Sequence, residues 1–303
     1  AFVRVLLAQF PSCRVINLDS LTYAGNLDNL QGLDKSRHQL IRGDIAHRDD
    51  VFGALTEKTD AIINFAAESH VDRSILSADE FIRTNVLGTQ VLLDAARERG
   101  VRRFIQISTD EVMGSLPENK KAFFSEESPF APNSPYAASK AAAEHLVRAA
   151  HHTFGLDAVI TRCGNNYGPY GDGLNVRDWI YVDDHCHAIL LVLAKGRAGA
   201  TYNIGARNER RNLDVARSVL AALGKPESLI RFVKDRPGHD RRYAIDPSLA
   251  EDELGWTPRE TWESGLRKTI DWYSTNTEWV ERTRSGAYRE FYARQYGIEV
   301  GAR

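Results

Sequence analysis

The sequence predicts an α/β fold in which a doubly wound parallel sheet is followed by a smaller, mixed α/β C-terminal domain. Three observations favour this fold. Short apolar segments of strand length alternate with longer helical segments through the first half of the chain. The clearest of these segments are almost wholly apolar, as are parallel strands buried on both faces. Polar residues directly follow several of them, at the edge where α/β sheets bind ligands.

Composition sets the limits for the class of protein. The chain has 303 residues, 43% of them hydrophobic, so it can bury a large core in one or two domains. The net charge of -2 indicates neither a nucleic-acid nor a membrane partner. The cysteines, Cys13, Cys163 and Cys186, lack metal-type spacing, so we expect reduced thiols, no metal and a cytoplasmic protein. We expect no membrane span and no signal peptide.

The first elements indicate a dinucleotide-binding unit. Residues 1–10 are typical of the end of an amphipathic helix, and Pro11 would end it. Residues 15–18 form a short apolar strand, and Asp19 stands at its end. In a Rossmann-type fold an acid at this point binds a ribose hydroxyl of NAD. The alternative is an ordinary loop aspartate.

The element that should precede this strand is not in the sequence. A glycine-rich turn normally joins the first strand of such a fold to its first helix. A strand–helix–strand unit needs about 30 residues, and fewer precede Asp19. We therefore expect that the natural protein begins earlier, with a first strand and a phosphate-binding loop.

The following segments continue the alternation of strands and helices. Strands are predicted at 38–45, 61–67, 104–107 and 157–163, and long helices at 78–99 and 135–154. Asp44 and Ile45 end the first of these strands, where they could contact an adenine. Ala66 and Ala67 end the second, and their small side chains would let a cofactor lie against the backbone.

The segment from 108 to 140 contains the residues best suited to catalysis. Thr109, Asp110 and Glu111 follow the strand at 104–107, at the ligand-binding edge of the sheet. Tyr136 and Lys140 lie four residues apart on one face of a helix. A lysine beside a tyrosine lowers the phenol pKa from about 10 and makes it a base. The alternatives are a surface Tyr-x-x-x-Lys pair and a solvated acidic turn.

The helix that carries this pair has a clear start. Ser134 is a suitable N-cap, and Pro135 suits the first helical turn. Both signals place Tyr136 at the beginning of the helix.

The second half of the chain contains loops rich in arginine. We predict a loop at 165–175, and then a strand and a helix around 182–194 after Arg177. A basic loop is predicted at 207–211 and a turn at 235–243. Arginines facing a cleft suit a diphosphate, although a single loop arginine is more often solvated. Residues from 251 to the end are predicted to be helical, with four packing anchors: Trp256, Trp262, Trp272 and Tyr273.

Taken together, these motifs resemble those of a known enzyme family. The matching stretches are 18–26, 66–74, 84–89, 108–114, 136–140, 165–170, 176–179 and 236–240. They resemble the extended short-chain dehydrogenase/reductase superfamily and, within it, the dTDP-glucose 4,6-dehydratase family. The adjacent acids Asp110 and Glu111 separate this family from the nucleotide-sugar 4-epimerases, which eliminate no water.

The resemblance implies a hydro-lyase that converts dTDP-glucose to dTDP-4-keto-6-deoxyglucose on one bound NAD. Tyr136, assisted by Lys140, would take the O4 proton while C4 gives hydride to NAD. Glu111 would remove the C5 proton, Asp110 would protonate the departing C6 hydroxyl, and hydride would return to C6. Thr109 would bond O4.

The resemblance also implies the binding residues and the assembly. The NAD contacts would be Asp19, Thr22, Asp44, Ile45, Ala66, Ala67, Thr84, Tyr136, Lys140 and Asn166. The substrate contacts would be Ser69, Thr109, Asn165, Arg177, Asn212, Arg236 and His239. Residues 1–164 would form the NAD domain and 165–303 mainly the sugar-nucleotide domain. A homodimer is expected through the helices at 78–99 and 135–154.

The sequence departs from the family pattern at two internal positions. Met113 stands where the family has tyrosine, so a hydroxyl is lost. Tyr170 runs directly into Gly171, where the family has a longer segment over the nucleotide, and we expect that residues are omitted there. Two other readings remain: a related NAD-dependent epimerase or decarboxylase, and a non-catalytic NAD-binding regulator. The sequence does not identify the nucleotide base.

Overall fold

The computed structural model describes residues 1–118, 122–165, 174–232 and 235–283. The strands are β1 (Val15–Asp19), β2 (His38–Arg42), β3 (Ala61–Asn64), β4 (Arg103–Thr109), β5 (Ala158–Cys163), β6 (Val176–Asp178), β7 (Thr201–Ile204) and β8 (Glu209–Arg211). The first seven α-helices are α1 (Phe2–Gln9), α2 (Arg48–Ala54), α3 (Val71–Leu76), α4 (Asp79–Phe81), α5 (Thr89–Glu98), α6 (Pro135–Phe154) and α7 (Val182–Lys195). They are followed by α8 (Asn212–Ala222), α9 (Ser248–Leu254), α10 (Trp262–Thr275) and α11 (Thr277–Thr283).

The sheets are mostly parallel, as the alternation of strands and helices predicts. Four strands pair in the order β3-β4-β5-β7, all in parallel, and β1 pairs with β2 in parallel. β6 and β8 form a separate antiparallel ribbon. In the register between β4 and β5, Ser108 lies opposite Arg162 and Thr109 lies opposite Cys163. The carboxyl end of β4 therefore has β5 directly beside it.

The sheet is covered by helices on both faces. Phe104 and Ile105 are adjacent on β4 and point to opposite faces, as successive strand residues do. Phe104 belongs to a core that contains Leu92 of α5 and Val147 of α6. Ile105 belongs to a second core, which contains Val192 of α7. This two-sided burial is the doubly wound architecture expected of the sequence.

Two strands are shorter than the sequence predicts. β2 ends at Arg42 and β3 at Asn64, before the predicted ends at 45 and 67. The side chain of Asp44 accepts a hydrogen bond from the amide of Ala46 at 2.8 Å, and that of Asn64 accepts one from Ala66 at 3.1 Å. Such local bonds compete with strand pairing. The chain therefore leaves the sheet after Arg42 and after Asn64, at the edge where ligands are expected.

The helices that flank the ligand edge match their predicted bounds closely. The helix predicted at 78–99 is continuous through α4, a π-helical segment (Ile82–Gly88) and α5. α6 occupies 135–154 as predicted, and Ser134 caps it by accepting a hydrogen bond from the amide of Ala137 at 3.1 Å. The π-helical turn is of interest because such turns are frequent at functional sites.

Two predictions for the second half are wrong. The strand expected after Arg177 is β6, which contains Arg177 itself, and the predicted basic loop at 207–211 ends in β8. The carboxylate of Asp178 accepts hydrogen bonds from the amides of Arg207 and Asn208, which helps to hold this chain beside β6. Residues 166–173 of the predicted loop lie outside the described residues.

The aromatic anchors divide into two groups. Trp256 and Trp262 are buried, as predicted. Trp272 is 45% exposed and Tyr273 is 51% exposed, so they are not core anchors. They pack against each other and against Trp279 at the surface. In the described part of the chain, no helix combines the length and the apolar character that crossing a membrane requires.

Candidate active site

One large cavity runs along the whole of β1 and β3, and the carboxyl ends of β4 and β5 open into it. Its volume is about 2390 Å³, well above the roughly 300–1000 Å³ of a typical small-ligand pocket. Most predicted site residues line it: Asp19, Thr22, Asp44, Ile45, Ala66, Ala67, Ser69, Thr84, Thr109, Asp110, Glu111, Tyr136, Lys140 and Asn165. The fold therefore brings together residues that are widely separated in sequence.

The carboxyl pair lies where β4 turns into a 3-10 helix (Asp110–Met113). Thr109 ends the strand, and its hydroxyl oxygen accepts a hydrogen bond from the amide of Glu111 at 3.3 Å. The same hydroxyl donates to Oδ1 of Asp110 at 3.3 Å. Asp110 is 1% exposed, and its Oδ2 has no hydrogen-bond partner among the described residues. This oxygen is available to a group that enters the cavity.

The two carboxyls have different electrostatic surroundings. Burial raises the pKa of Asp110 well above its usual range, and the neighbouring Glu111 raises it further. Burial also raises the pKa of Glu111, but the cations Arg236 and Arg177 oppose that effect. A pair whose environments push the two pKa values apart suits one acid and one base. Asp110 is the better acid, and Glu111 is the better base.

Tyr136 and Lys140 are both buried on the first turns of α6. The ammonium of Lys140 donates a hydrogen bond to the carbonyl of Ile107 at 2.6 Å. Burial lowers the pKa of Lys140 to about 8. Because Ile107 belongs to β4, this bond holds the helix with Tyr136 against the strand that leads to the carboxyl pair.

The predicted lowering of the Tyr136 pKa is wrong for this structure. Burial raises the pKa of Tyr136 well above its usual value, and the carboxyls of Glu111 and Asp110 add to this effect. A hydrogen bond with Thr109 lowers the pKa, but less strongly. The sequence predicted Lys140 on the same helix face as Tyr136. It did not show that Glu111 and Asp110 face the Tyr136 phenol.

The predicted NAD residues occupy the β1 and β3 side of the cavity. Asp19 accepts a hydrogen bond from the amide of Leu21 at 2.8 Å, and Asp44 forms an ion pair of 2.7 Å with Arg83. Both acids are therefore held in place at strand ends. With the small Ala66 and Ala67, this lining fits an extended dinucleotide. Asn166 lies outside the described residues.

Three predicted substrate residues, two of them arginines, form a cluster near the carboxyl pair and do not line the large cavity. Arg177 donates to the carbonyl of Asp240 at 2.9 Å. Arg236 forms an ion pair of 3.3 Å with Asp72, and its Nη1 is buried without a hydrogen-bond partner among the described residues. His239 contacts Asp235 at 2.5 Å. The spare donor of Arg236 suits an anionic or hydroxyl-bearing ligand.

Asn212 joins this cluster through backbone contacts. Its amide donates to the carbonyl of Asn175 at 3.0 Å, and the side chain of Asn175 donates to the carbonyl of Asp240 at 3.0 Å. That carbonyl also accepts from Arg177. Oδ1 of Asn212 is buried without a hydrogen-bond partner in the described chain. These bonds therefore link Asn212 and Arg177 to Asp240, the residue that directly follows His239.

Sequence reasoning missed several residues of the site. Cys163 lines the cavity opposite Thr109, but only the strand register reveals this position. The side chain of Asn85 donates to Ser139 at 2.8 Å and to the carbonyl of Glu68 at 2.9 Å, so it bridges α6 to the loop after β3. Tyr243 donates to Asp240 at 2.5 Å. Asn85 lies in a stretch that matches the family, which is a signal the sequence offered.

Met113 fills its position without a hydroxyl group. Its side chain is buried in a core with Val112, Phe124 and Ala141. The sulfur accepts a hydrogen bond from Nη1 of Arg162 at 3.5 Å. The residue is therefore a packing element of the wall behind the carboxyl pair. Within the described ranges, no group of His, Cys, Asp and Glu could hold a metal ion.

Comparison with known proteins shows which enzymes this chain is similar to. The profile of the GDP-mannose 4,6 dehydratase family matches residues 1–172 and 169–269. A dTDP-glucose 4,6-dehydratase of Xanthomonas campestris is 50% identical over 94% of this chain and 93% of its own length. A dTDP-glucose 4,6-dehydratase of Salmonella typhimurium is 43% identical over 93% of this chain and 91% of its own length.

Solved structures agree with the sequence relatives. The dTDP-glucose 4,6-dehydratase DesIV of Streptomyces venezuelae, crystallised with NAD and TYD, superposes with a TM-score of 0.89 at 46% identity. The match covers 93% of this chain and 95% of that one. A UDP-glucose 4-epimerase of Thermus thermophilus in complex with NAD has a TM-score of 0.82 at 29% identity, with 91% and 95% of the two chains covered.

Proposed function

The chain belongs to the GDP-mannose 4,6 dehydratase family and, within it, to the dTDP-glucose 4,6-dehydratases, and from this premise we propose how its residues share the reaction. The enzyme is a hydro-lyase that converts dTDP-glucose to dTDP-4-keto-6-deoxyglucose with NAD as its cofactor. The steps are oxidation at C4, loss of water across C5 and C6, and reduction at C6.

Asp110 is the acid of the elimination and Glu111 is the base. The observation that carries this assignment is the difference in their surroundings. Burial and the neighbouring Glu111 raise the pKa of Asp110 well above its usual range, and its Oδ2 has no hydrogen-bond partner among the described residues. Burial also raises the pKa of Glu111, but Arg236 and Arg177 oppose this effect. Asp110 therefore keeps its proton and gives it to the C6 hydroxyl, which leaves as water. Glu111 removes the C5 proton and returns it once C6 has been reduced.

Tyr136 is the base that takes the O4 proton, and Lys140 holds it in place. Bound NAD would supply the hydride acceptor for C4 and, once reduced, the hydride donor for C6. The hydroxyl of Thr109 lies within hydrogen-bonding reach of Tyr136, as its effect on the phenol pKa indicates. Thr109 would therefore share O4 with Tyr136 and orient the ring.

The walls of the cavity divide between the two ligands. NAD would be held by Asp19, Thr22, Asp44, Ile45, Ala66, Ala67, Thr84, Tyr136, Lys140 and Asn166. The sugar nucleotide would be held by Ser69, Thr109, Asn165, Arg177, Asn212, Arg236 and His239. Residues 1–164 would thus serve mainly the cofactor and 165–303 mainly the substrate. The buried, unpartnered Nη1 of Arg236 supports this division because it needs an acceptor.

We also propose a homodimer in the cytoplasm. The continuous helix of α4, the π-helical segment and α5 packs beside α6, and it exposes Ile82 by 53% and Leu87 by 49%. Contact with a second copy would cover these side chains.

Sedimentation velocity should therefore show a dimer that Leu87→Glu converts to monomer. Leu229→Glu, at another exposed leucine, should leave the dimer intact; a monomeric parent protein would contradict the proposal.

The decisive experiment measures product mass after incubation with NAD and dTDP-, UDP-, GDP- or CDP-glucose. We expect loss of one water from the dTDP sugar. An unchanged mass with inverted C4 stereochemistry would identify an epimerase instead. No change with any sugar nucleotide would favour a non-catalytic NAD-binding protein.

Two variants test the roles within the carboxyl pair. In deuterated water, Asp110→Asn should keep exchange of the C5 hydrogen but lose water about 10²–10⁴-fold more slowly, since only the acid is removed. Glu111→Gln should slow both exchange and water loss. Both variants should still reduce NAD, measured by absorbance, whereas Tyr136→Phe should not. Equal exchange in the two carboxyl variants would contradict the division of roles.

A further inference from the structure

A buried ion pair lies one helical turn beyond Lys140. Glu144 of α6 is 1% exposed and Arg162 of β5 is 3% exposed. Nε of Arg162 donates to both carboxylate oxygens of Glu144, at 3.1 and 3.0 Å, and Nη2 donates to Oε2 at 2.8 Å. The pair has no assigned part in the reaction, and charged side chains are almost never buried to this extent unless they are paired.

The pair connects the segments that carry the reacting groups. The hydroxyl of Ser108 donates to Oε1 of Glu144 at 2.6 Å. Ser108 directly precedes Thr109 on β4, and Glu144 lies four residues after Lys140 on α6. One carboxylate therefore ties the helix with Tyr136 and Lys140 to the strand that leads to Asp110 and Glu111.

Arg162 extends the connection to the far side of the carboxyl pair. Its Nη1 donates to the sulfur of Met113 at 3.5 Å and to the carbonyl of Glu126 at 3.3 Å. Met113 is the last residue of the 3-10 helix that begins with Asp110. The guanidinium of Arg162 thus supports both ends of that helix. It contacts Met113 at the end directly, and it reaches Ser108, just before the start, through Glu144.

The charges of the pair also act on the site. Burial is the main influence on Lys140 and lowers its pKa to about 8, while Glu144 opposes this effect. The other ionisable group beside Lys140 is Cys163, and those facing Tyr136 are Glu111, Cys163 and Asp110. Glu144 and Arg162 neutralise each other, so removing one leaves a net charge behind Lys140.

We propose that Glu144 and Arg162 are positioning residues for the dehydration: they fix α6 against β4 and keep the charge behind Lys140 balanced. The inference rests on the proposed roles of Tyr136, Lys140 and the carboxyl pair. Neither residue touches a reacting atom, since both lie behind the groups that do.

The test exploits the opposite signs of the two charges. Glu144→Gln leaves the positive guanidinium of Arg162 without its partner. This charge should lower the pKa of the Lys140 ammonium and the pKa of the Tyr136 phenol. The pH profile of kcat should therefore move to lower pH, by roughly one unit for one nearby charge. Arg162→Met leaves the carboxylate, and the profile should move to higher pH. The neutral double variant should regain the parent profile but lose about tenfold or more in kcat, because the brace is gone.

A control separates this effect from a general loss of charge. Glu98→Gln breaks the exposed ion pair with Arg48 and should change neither kcat nor the profile. If Glu144→Gln does not fold, the double variant, which buries no unpaired charge, still tests the brace. A double variant with the parent kcat, or single variants whose profiles move in the same direction, would overturn the proposal.

A second readout does not depend on activity. The pKa of Lys140 can be measured by NMR of ε-carbon-labelled lysine, assigned with Lys140→Met. We expect a lower pKa in Glu144→Gln and a higher pKa in Arg162→Met than in the parent. Absence of these shifts would overturn the proposed charge balance, whereas absence of water loss in the parent protein would count only against the proposed function.

Discussion

At the scale of residues, the site is built from groups that are costly to bury. Asp110 is fully buried beside Glu111, and its pKa is raised in the folded protein. The folded state therefore binds the proton of Asp110 more tightly than the unfolded state does. The stability from this group is fully present below the unfolded pKa of about 3.9 and is lost as pH rises through the folded value. The acid function thus weakens the fold at neutral pH.

Asp110→Asn should consequently stabilise the protein while it disables water loss. We expect the free energy of unfolding at pH 7 to rise by about 1–2 kcal/mol, a common gain when a strained active-site group is removed. The gain should shrink toward pH 4, where the aspartate carboxyl becomes protonated in the unfolded chain as well. Urea unfolding at both pH values measures this change. Asp34→Asn is the control: the pKa of this exposed carboxyl is lowered by hydrogen bonds from Ser36, so its loss should not stabilise the fold. A destabilised Asp110→Asn would contradict the argument.

At the scale of elements, the turn after β4 fixes the direction of the carboxyl pair. The 3-10 helix is followed directly by Gly114, which has a φ of 79°. A Cβ at this position would collide with the carbonyl oxygen of Ala131. The amide of Ala131 in turn donates to the carbonyl of Val112 at 3.0 Å. The close approach of these two segments therefore requires a glycine.

Gly114→Ala should destabilise the protein by about 1–3 kcal/mol, because both backbone strain and the collision with Ala131 oppose the side chain. Gly100→Ala is a matched control: Gly100 has a φ of 66°, but no atom lies within 4 Å of the added Cβ. Its cost should be limited to about 1–2 kcal/mol of backbone strain. Chemical denaturation gives both values. Equal costs would show that contact with Ala131 does not constrain the turn.

At the scale of the whole molecule, a buried tryptophan helps to pack the C-terminal segment against the sheet. Trp256 is 2% exposed and belongs to the core that contains Ile105 of β4 and Val192 of α7. Its indole nitrogen donates to the carbonyl of Asp184 at 3.1 Å. The segment after α9 is therefore anchored to the same sheet that positions the active site.

Trp256→Ala should lower the free energy of unfolding by about 3–5 kcal/mol, the usual cost of truncating a buried large aromatic residue. Trp272→Ala, at a side chain that is 45% exposed, should cost much less. Thermal and urea unfolding of the two variants compare them directly. Similar losses would mean that the surface cluster with Tyr273 and Trp279 stabilises the protein as much as the core does.

The sequence alone determined the elements whose signals are local. The cap at Ser134 and the proline after it fixed the start of α6, and apolar segments located β4 and β5. It also predicted Asp110, Glu111, Tyr136 and Lys140 as site residues from the spacing of their motifs, and these residues line the cavity. Strand ends at 42 and 64 were missed, since side-chain bonds of Asp44 and Asn64 replace strand pairing there.

Only the tertiary structure decided the electrostatics of the site. Whether a phenol is activated depends on its burial and on the charges that face it. Burial raises the pKa of Tyr136, and the carboxyls of Glu111 and Asp110 add to this rise, against the effect expected of Lys140. The register of β4 and β5 brings Cys163 into the cavity and sets Arg162 beside Ser108 and Glu144. The burial of a side chain and the register of two strands depend on contacts between distant segments. A pattern of residues that are neighbours in sequence therefore cannot predict them.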